Sequence, residues 1–484
     1  MQALPTAANL LETFQQQFVR ADLNAYLTDG LIGEGVKIPG LNGPQELIYA
    51  DYVASGRALQ QVEDFVANEV LPYYANSHTE ASFCGQFMTQ LRQKSRQTIA
   101  QLCGADSRHA VIFTGAGATA GLNRLVHLLG VSQASDSAPL VIIGPYEHHS
   151  NILPWRETGA QIVELQEAPE GGPDLEQLAE LLQANTGRLM IGSFSAASNV
   201  TGITTDVTAV TQLLKAHGAL SVWDYAGGAP YMEINMAAGT LAEIDAVVVS
   251  PHKFIGGPGA SGVMIVRRAA VTATTPTMPG GGTVSFVSPW NHHYAHSIEA
   301  REEAGTPNVV GDIRAALCFI IKAAIGQDVL DTRLEELRQR ALAVWSNNAN
   351  LTILGNPNAH HRLPIFSFQI HDSVTGALVH QQLVTRMLSD IYGIQARGGC
   401  ACAGPYAHRL LAIDRARSDQ LKQAILQGDE IQKPGWTRLS FSVLMSDAKA
   451  DRIIHAVDQL ANNPSQHSSA YQVDEDTARF SLAS

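Results

Sequence analysis

The sequence predicts an α/β protein, with a mostly parallel sheet in one large domain and a second, smaller α+β domain. Short apolar segments typical of buried strands recur along the chain, and helical stretches separate most of them. The length of 484 residues exceeds the roughly 100–200 residues of an ordinary domain. Hydrophobic residues make up 45% of the chain and charged residues 16%, which is typical of globular proteins and excludes a disordered or fibrous chain.

Hydrophobic spacing predicts the elements at the start of the chain. Apolar residues at helical spacing predict an N-terminal helix over residues 9–28, and the run that follows is Gly-rich and typical of a loop. A long helix is predicted over 86–102 and a strand over 110–113. After a Gly-rich turn, a second helix is predicted to start near Thr119.

The middle of the chain alternates strands with helices. Strands are predicted over 140–143, 162–165, 189–193, 220–223, 246–250 and 262–266, and helices between them over 175–183 and 207–216. This alternation indicates βαβ units with right-handed crossovers and a mostly parallel sheet. In such sheets ligands bind at the carboxyl ends of the strands, so polar residues that follow these strands are candidates for a site.

A second region follows a long helical run predicted over residues 313–347. Its predicted elements are strands over 365–370 and 438–442 and a closing helix over 449–461. The last twenty residues are polar, and we expect them to be peripheral.

Charge and cysteine content narrow the class of protein. The 45 acidic residues outnumber the 32 Lys and Arg residues, which gives a formal net charge of −13. The sequence has no long basic cluster of the kind that binds nucleic acid. We find no signal peptide and no apolar run long enough to cross a membrane. The five cysteines are too scattered for a disulfide framework: Cys84, Cys103, Cys318, Cys400 and Cys402. We therefore expect a cytoplasmic enzyme without a nucleic-acid or membrane partner.

Lys253 follows an apolar strand and precedes a Gly-rich turn, within the run Ser-Pro-His-Lys-Phe-Ile-Gly-Gly-Pro-Gly. Partial burial at the mouth of a sheet lowers the pKa of a lysine and frees its amine for Schiff-base chemistry. An isolated lysine at such a position is more often a solvated strand end. This one is accompanied by Asp224, which ends another predicted strand, with 28 residues between the two.

That spacing, about one helix plus one strand, can bring Asp224 and Lys253 to neighbouring strand ends. An aspartate there can hold a pyridinium nitrogen protonated, as pyridoxal phosphate requires. An ordinary turn aspartate is the alternative interpretation.

A candidate phosphate site is formed by Gly-Ala-Gly-Ala-Thr-Ala-Gly over residues 115–121, between a strand and a helix. Backbone N–H groups at a helix N-terminus bind phosphate, and Thr119 adds a hydroxyl. The alternative is a turn that merely lets helix and strand pack. The dinucleotide fingerprint fails because its third glycine comes one position late, so the sequence favours a phosphate cup over a dinucleotide site.

Eight motifs in order make the chain resemble the class V, fold-type I pyridoxal-phosphate enzymes of the cysteine desulfurase/selenocysteine lyase group. The resemblance runs from about Tyr49 to Leu460. It implies a mostly parallel, seven-stranded sheet. The motifs are Tyr49-Ala-Asp-Tyr-Val-Ala54-Ser, Asn76-Ser-His78, Glu147-His-His-Ser-Asn-Ile-Leu-Pro-Trp155, Ser198-Asn199-Val-Thr-Gly202, Asp224-Tyr-Ala, Ser250-Pro-His-Lys253, Glu303-Ala-Gly-Thr-Pro-Asn308 and Arg397-Gly-Gly-Cys-Ala-Cys402-Ala-Gly-Pro405.

The resemblance implies a domain organisation as well. Residues 1–70 would form an N-terminal helix and arm that pack on the small domain, and 71–315 the large cofactor-binding domain. Residues 316–464 would form the small domain and 465–484 a polar tail.

The resemblance also implies a role for each site residue. Lys253 would bind pyridoxal 5'-phosphate covalently, Asp224 would pair with its ring nitrogen, His148 would stack on the ring and Asn199 would bond the ring hydroxyl. Arg438 would grip the substrate carboxylate, with Ala54 and Asn199 beside it. Thr306 would reach the phosphate of a partner subunit, which implies a homodimer. The remaining phosphate ligands would be Gly117, Ala118, Thr119, Ser250 and His252.

Cys402 falls on the position of the nucleophilic cysteine in the selenocysteine-lyase-like branch. Its thiolate would take sulfur from a substrate cysteine, leaving alanine and a Cys402 persulfide that a sulfur-acceptor protein could unload. A free cysteine is usually a small, buried hydrophobic residue, but the Gly-rich loop around Cys402 argues against deep burial. Two positions depart from the family: Cys400 stands where relatives often have His, and Gly227 where a Gln or His is usual.

Other interpretations stay open at the level of sequence. The same cofactor could serve a β-eliminating C–S lyase that forms pyruvate and ammonia. It could also serve an aminotransferase or an epimerase, although neither would need Cys402. A sulfur-relay protein with little turnover and a dinucleotide-dependent oxidoreductase are more distant. The run His-His-Tyr-Ala-His over residues 292–296, with Cys400 and Cys402, has ligand types that suit zinc. We expect a polar loop there instead of a metal site.

Overall fold

The computed structural model describes residues 7–77, 79–133 and 137–483. His78, which belongs to one of the motifs above, lies outside the described residues. The N-terminal region contains α1 (Ala7–Gln16), α2 (Leu23–Asp29), β1 (Lys37–Ile38), β2 (Gln45–Glu46), β3 (Ile48–Tyr49) and α3 (Gln60–Phe65).

The single helix predicted over residues 9–28 is wrong, because the chain turns between α1 and α2. The turn buries Phe18 against Phe14, with ring centroids 4.9 Å apart. An ion pair from Arg20 to Asp22 lies at its exposed side. Helix α1 packs on the helices Phe83–Leu102 and Val309–Ile325, whereas β3 pairs in parallel with a strand of the C-terminal region, at residues 394–395.

The central region contains a seven-stranded sheet in the order β4-β10-β9-β8-β7-β5-β6. Strand β10 runs antiparallel to both neighbours and the other pairs are parallel, so the predicted mostly parallel sheet is confirmed. Its elements are α4 (Phe83–Leu102), β4 (His109–Gly115), α5 (Gly117–Leu128), β5 (Leu140–Ile143), α6 (Leu153–Arg156), β6 (Gln161–Glu164), α7 (Leu175–Ala184), β7 (Met190–Ser195), α8 (Val207–Ala216), β8 (Leu220–Asp224), β9 (Ala246–Val249), β10 (Gly262–Arg267), β11 (Val284–Val287), β12 (His292–Tyr294) and α9 (Ile298–Glu302).

Alternating side chains of this sheet enter two different apolar clusters. In β5, Leu140 and Ile142 pack with α4, α7 and α8, whereas Val141 and Ile143 pack with α5 and α6. Both faces are therefore covered by helices, as all-parallel strands with continuous apolar sequence require.

The C-terminal region is built on a four-stranded antiparallel sheet in the order β13-β14-β17-β16. Trp345 is fully buried against it, and its indole N–H donates to the Ile454 carbonyl at 2.9 Å. The elements are α10 (Val309–Ile325), α11 (Gln327–Trp345), β13 (Leu351–Ile353), β14 (Ile365–Ile370), α12 (Gln381–Tyr392), β15 (Ile394–Gln395), β16 (Arg397–Gly399), α13 (Gly404–Leu410), α14 (Arg415–Leu426), β17 (Trp436–Ser440), α15 (Asp447–Asn462), α16 (Ser465–Ser468), β18 (Tyr471–Asp474) and β19 (Arg479–Leu482).

One expectation for this region needs correction. The helical run predicted over 313–347 is broken at Gly326, whose φ of 84° lies in the left-handed region that favours glycine. Within the polar tail, for which no element was predicted, β18 and β19 form an antiparallel hairpin that packs on α12. In the described part of the chain, no helix is long and apolar enough to cross a membrane.

Candidate active site

A cavity of about 290 Å³ lies at the carboxyl ends of β7 and β8, beside the N-terminus of α5. Its lining includes every predicted site residue except Thr306: Ala54, Gly117, Ala118, Thr119, His148, Asn199, Asp224, Ser250, His252, Lys253, Cys402 and Arg438. Residues from eight separate stretches of sequence therefore meet in one place. Thr306 lines a separate cavity of about 250 Å³, together with Gly115 and Arg124.

Lys253 lies in a short 3₁₀ turn directly after β9. Burial lowers the pKa of its amine from 10.5 to about 8, although the negative charge of Asp224 acts in the opposite direction. Asp224 ends β8, is buried and accepts a hydrogen bond at Oδ1 from the Ala226 N–H at 2.8 Å. Burial also raises the pKa of its carboxyl group. Buried Asp224 and half-buried Lys253 thus lie at neighbouring strand ends, as their spacing predicts.

The turn before α5 has the form of an anion cradle. Gly115 and Gly117 have φ angles of 79° and 61°. A Cβ on Gly117 would lie 2.9 Å from Ser250 Oγ, so glycine is required there. The Ala118 N–H donates to Ser250 Oγ at 2.9 Å. Backbone N–H groups and hydroxyls at the start of a twelve-residue helix suit a phosphate group.

His148 is held in one tautomer by a chain of hydroxyl contacts. Its Nδ1 accepts from the Ser150 N–H at 3.1 Å, so the ring proton lies on Nε2. Ser150 Oγ is in turn 2.7 Å from Thr119 Oγ1. Burial, followed by the positive charge of Lys253, lowers the pKa of His148 to about 4. The ring is therefore neutral at physiological pH, which suits stacking on a flat aromatic ligand.

Asp51 is a site residue that the sequence did not single out, although it lies within the first motif. Its Oδ1 accepts from Arg438 Nη2 at 3.0 Å and its Oδ2 from Arg397 Nε at 2.9 Å. Arg438 also donates from Nη1 to the Asn199 carbonyl at 3.0 Å. Arg438 is 4% exposed, and its Nε has no hydrogen-bond partner among the described residues. One carboxylate thus orients two guanidinium groups on the wall of the cavity.

Glu147 is a second residue that the sequence left without a role. It is buried, and it accepts from the Ser195 N–H at 2.8 Å, from Ser195 Oγ at 2.7 Å and from Asn151 Nδ2 at 2.5 Å. Burial raises the pKa of its carboxyl group to about 7. Because Ser195 lines the cavity, Glu147 fixes the end of β7 from behind. The sequence could not predict this burial, because Glu147 belongs to a polar motif.

The loop that carries Cys402 is tied down on both sides. Ala401 and Cys402 have φ angles of 53° and 56°, and the Ala403 N–H donates to the Cys400 carbonyl at 3.1 Å, as in a type I′ turn. Asn199 Nδ2 donates to the Ala401 carbonyl at 2.8 Å. Cys402 is exposed, in agreement with the expectation for a Gly-rich loop.

Backbone contacts on the other side of this loop involve His149. Its N–H donates to the Cys402 carbonyl at 2.9 Å, and its Nε2 accepts from the Gly404 N–H at 2.9 Å. The strained turn is therefore anchored to the segment that carries His148.

The histidine run at residues 292–296 lies partly on a strand. Its first three residues form β12 of an exposed hairpin with β11, where we expected a loop. Within the described ranges, no group of three or more His, Cys, Asp or Glu residues is arranged to hold a metal ion.

The sequence matches the family model described as aminotransferase class-V over residues 48–453. The chain belongs to the aminotransferase class-V family. Among curated relatives, a probable cysteine desulfurase of Vibrio cholerae is 28% identical over 85% of this chain and 93% of its own length. A probable cysteine desulfurase of Streptomyces coelicolor is 27% identical over 86% and 93%.

Solved structures of two cysteine desulfurases have a similar fold. The cysteine desulfurase of Thermococcus onnurineus superposes with a TM-score of 0.71 at 24% identity and covers 86% of this chain and 95% of its own. The cysteine desulfurase CsdA of Escherichia coli gives 0.67 at 22% identity, over 94% and 98%. The family and the fold that the motifs predicted are thus confirmed for this aminotransferase class-V protein.

Proposed function

We propose that this protein is a pyridoxal-phosphate-dependent cysteine desulfurase, which removes sulfur from L-cysteine through a Cys402 persulfide and leaves alanine. The observation that carries the proposal is the presence of Cys402 on the wall of the cavity that contains Lys253, Asp224 and Arg438. A reactive thiol beside an amine, a buried carboxylate and a buried guanidinium is more than an aminotransferase reaction requires. The names of the relatives support the same activity.

The cavity fits the cofactor in three respects. Asp224 offers a buried carboxylate for a pyridinium nitrogen, and the turn at Gly117 offers N–H groups and Ser250 for a phosphate. Asn199 is buried, and its Oδ1 lacks a hydrogen-bond partner in the described structure, which leaves it free for a ring hydroxyl. His148 would stack on the ring, Thr119 and His252 would bind the phosphate, and Lys253 would form the covalent link. When bound, pyridoxal phosphate would supply an electron sink for negative charge at the substrate carbons.

Arg438 would bind the substrate carboxylate. Its unpartnered Nε is buried, and a carboxylate that satisfies it gains a charge-assisted hydrogen bond. Arg397 lines the same wall and adds positive charge. The lowered pKa of Lys253 keeps a fraction of its amine neutral near pH 7, so that Nζ can accept and return a proton during turnover.

Cys402 would carry out the sulfur transfer. Its thiolate attacks the sulfur of the bound cysteine, and the new S–S bond forms as the carbon–sulfur bond breaks. The electron pair of that bond stays with the carbon, which takes up a proton and leaves as alanine. L-Cysteine and an enzyme thiol are consumed, and alanine and an enzyme persulfide are formed, so atoms and electrons balance. Such a thiol needs a reducing compartment, which favours a cytoplasmic location.

A homodimer is proposed from the surface around Thr306. The hairpin of β11 and β12 exposes Phe286 by 53% and Trp290 by 88%. The Gly305 N–H donates to the Gly281 carbonyl at 2.8 Å, which joins the chain just before this hairpin to the residue that precedes Thr306. Exposed aromatic side chains beside a residue expected to reach a partner's phosphate are suited to a subunit interface.

Persulfide trapping tests the proposal. The purified protein is mixed with L-cysteine, alkylated with iodoacetamide and examined by mass spectrometry, with Cys402→Ser treated in the same way. We expect one extra sulfur atom in the peptide that contains residue 402 of the unsubstituted protein, and none in the variant. Equal alanine formation by both proteins would contradict the persulfide mechanism.

A further inference from the structure

The loop over residues 399–404 separates two cavities. Cys402 lines the cavity of about 290 Å³ described above, whereas Cys400 lines a second cavity of about 510 Å³. Two thiols that are two residues apart therefore adjoin different spaces. The proposed reaction uses Cys402 and gives no role to Cys400.

The second cavity is completed by the C-terminal hairpin, which lies beyond residue 453, where the family match ends. Thr477 and Ala478, in the turn of that hairpin, line the same cavity as Cys400. Contact between the Phe480 and His380 rings, with centroids 5.3 Å apart, holds the hairpin on α12. The hairpin thus shapes a cavity of a size that takes a small molecule.

The lining of the second cavity favours a ligand with negative charge. Its charged residues are Lys422, Lys433 and Glu430, which leaves one positive charge in excess. Lys433 is paired with Glu430, whereas Lys422 forms no ion pair within the described ranges. The rest of the lining is mostly apolar, with Leu421 and Ile425 of α14.

The two cysteines share one tight turn. The Ala403 N–H donates to the Cys400 carbonyl at 3.1 Å, so Cys400 and Cys402 are the first and third residues of that turn, and Cα atoms two residues apart in a chain are at most about 7 Å apart. Cysteine Cα atoms about 4.4–6.8 Å apart can be joined by an S–S bond. A persulfide on Cys402 extends its reach by a further S–S bond length, about 2 Å.

On the basis of the proposed desulfurase function, we propose that Cys400 is a second sulfur carrier. It takes the persulfide sulfur from Cys402 and presents it in the second cavity to a low-molecular-weight, negatively charged thiol. Loading and unloading would then occur on different sides of the loop, so that the next substrate and the sulfur acceptor do not compete for one cavity.

The transfer is a thiol–persulfide exchange without net oxidation. The Cys400 thiolate attacks the terminal sulfur of the Cys402 persulfide, the S–S bond at Cys402 breaks, and its electron pair leaves with Cys402 Sγ as a thiolate. The acceptor thiolate then attacks the terminal sulfur on Cys400 in the same manner. An acceptor persulfide forms and Cys400 returns to its thiolate.

Locating the sulfur tests the relay. The holoenzyme is mixed with L-cysteine and alkylated, and the tryptic peptide over residues 398–409 is fragmented to separate positions 400 and 402. We expect sulfur on both cysteines in the unsubstituted protein, on Cys402 alone in Cys400→Ser, and on neither in Cys402→Ser. Cys84→Ser, a half-buried cysteine of α4, is the matched control and should behave as the unsubstituted protein.

Sulfur transfer to glutathione, an anionic tripeptide thiol, gives a second readout. Cys400→Ser should lower its rate roughly tenfold or more relative to Cys84→Ser, because the positioned carrier is lost. Lys422→Gln should lower the ratio of the rates with glutathione and with cysteamine, a cationic thiol.

Three results would overturn the relay. The first is sulfur on Cys402 alone in the unsubstituted protein. The second is an equal rate of sulfur transfer to glutathione in Cys400→Ser and Cys84→Ser. A Cys400–Cys402 disulfide formed with release of sulfide would assign Cys400 to a resolving role instead. In each of these results Cys402 still forms a persulfide, so the desulfurase function would stand. Formation of pyruvate without any persulfide would refute the desulfurase function itself.

Discussion

Lys253 is expected to destabilise the cofactor-free protein at neutral pH. Burial lowers its pKa from 10.5 to about 8, and each pKa unit corresponds to about 1.4 kcal/mol, so the free energy of unfolding is reduced by about 3 kcal/mol. This cost is fully present below pH 8, where the folded and the unfolded chain both carry the charge. It falls as pH rises from 8 to 10.5, because the folded protein has then lost the proton that the unfolded chain still holds.

The perturbation that isolates this effect is Lys253→Met, which removes the charge and keeps an unbranched side chain. Urea unfolding of the cofactor-free proteins at pH 7.5 and pH 10 should show the variant more stable at pH 7.5. The difference between the two proteins should shrink by about 2 kcal/mol at pH 10. Lys37→Met, at an exposed lysine of β1, controls for general effects of pH. A stability difference between Lys253→Met and the unsubstituted protein that is the same at both pH values would refute the lowered pKa of Lys253.

Three further predictions concern the neighbours of Lys253. Asp51→Asn should raise the KM for L-cysteine and reduce the free energy of unfolding by about 3 kcal/mol, because it leaves the buried Arg438 without its carboxylate. Steady-state kinetics would measure the KM and urea unfolding the stability, and an unchanged KM would contradict the role of Asp51. Gly117→Ala should weaken cofactor binding in a fluorescence titration, because the new Cβ meets Ser250 Oγ at 2.9 Å and φ is 61°; unchanged affinity would exclude the turn as the phosphate site. Relative to Glu147→Gln, the unsubstituted protein should lose about 3 kcal/mol of stability as pH rises from 4.5 to 7. Over this range the unfolded chain releases the Glu147 proton, whereas the folded protein keeps it to about pH 7. Parallel profiles of unfolding free energy against pH for the two proteins would contradict this.

Residues that follow parallel strands could be placed from the sequence. Asp224 and Lys253 each end an apolar segment, and the carboxyl ends of parallel strands share one edge of the sheet. The glycines before α5 gave a similar local signal. For these residues, local pattern and sheet topology were enough to predict that they meet.

Contacts that depend on distant pairing could not be read in this way. Asp51 reaches Arg438 because β3 pairs with β15, nearly 350 residues further along the chain. The break at Gly326 interrupts an otherwise continuous helical pattern, and a single glycine does not by itself end a helix. The C-terminal hairpin carries few apolar residues, so its packing on α12 had no strong periodic signal.

The nature of the products from L-cysteine tests the central claim most directly. The unsubstituted protein and Cys402→Ala are supplied with L-cysteine and a reducing thiol, and alanine, sulfide, pyruvate and ammonia are measured. We predict alanine and sulfide from the unsubstituted protein and loss of both in the variant. Pyruvate and ammonia from both proteins would contradict the account and identify a β-eliminating C–S lyase.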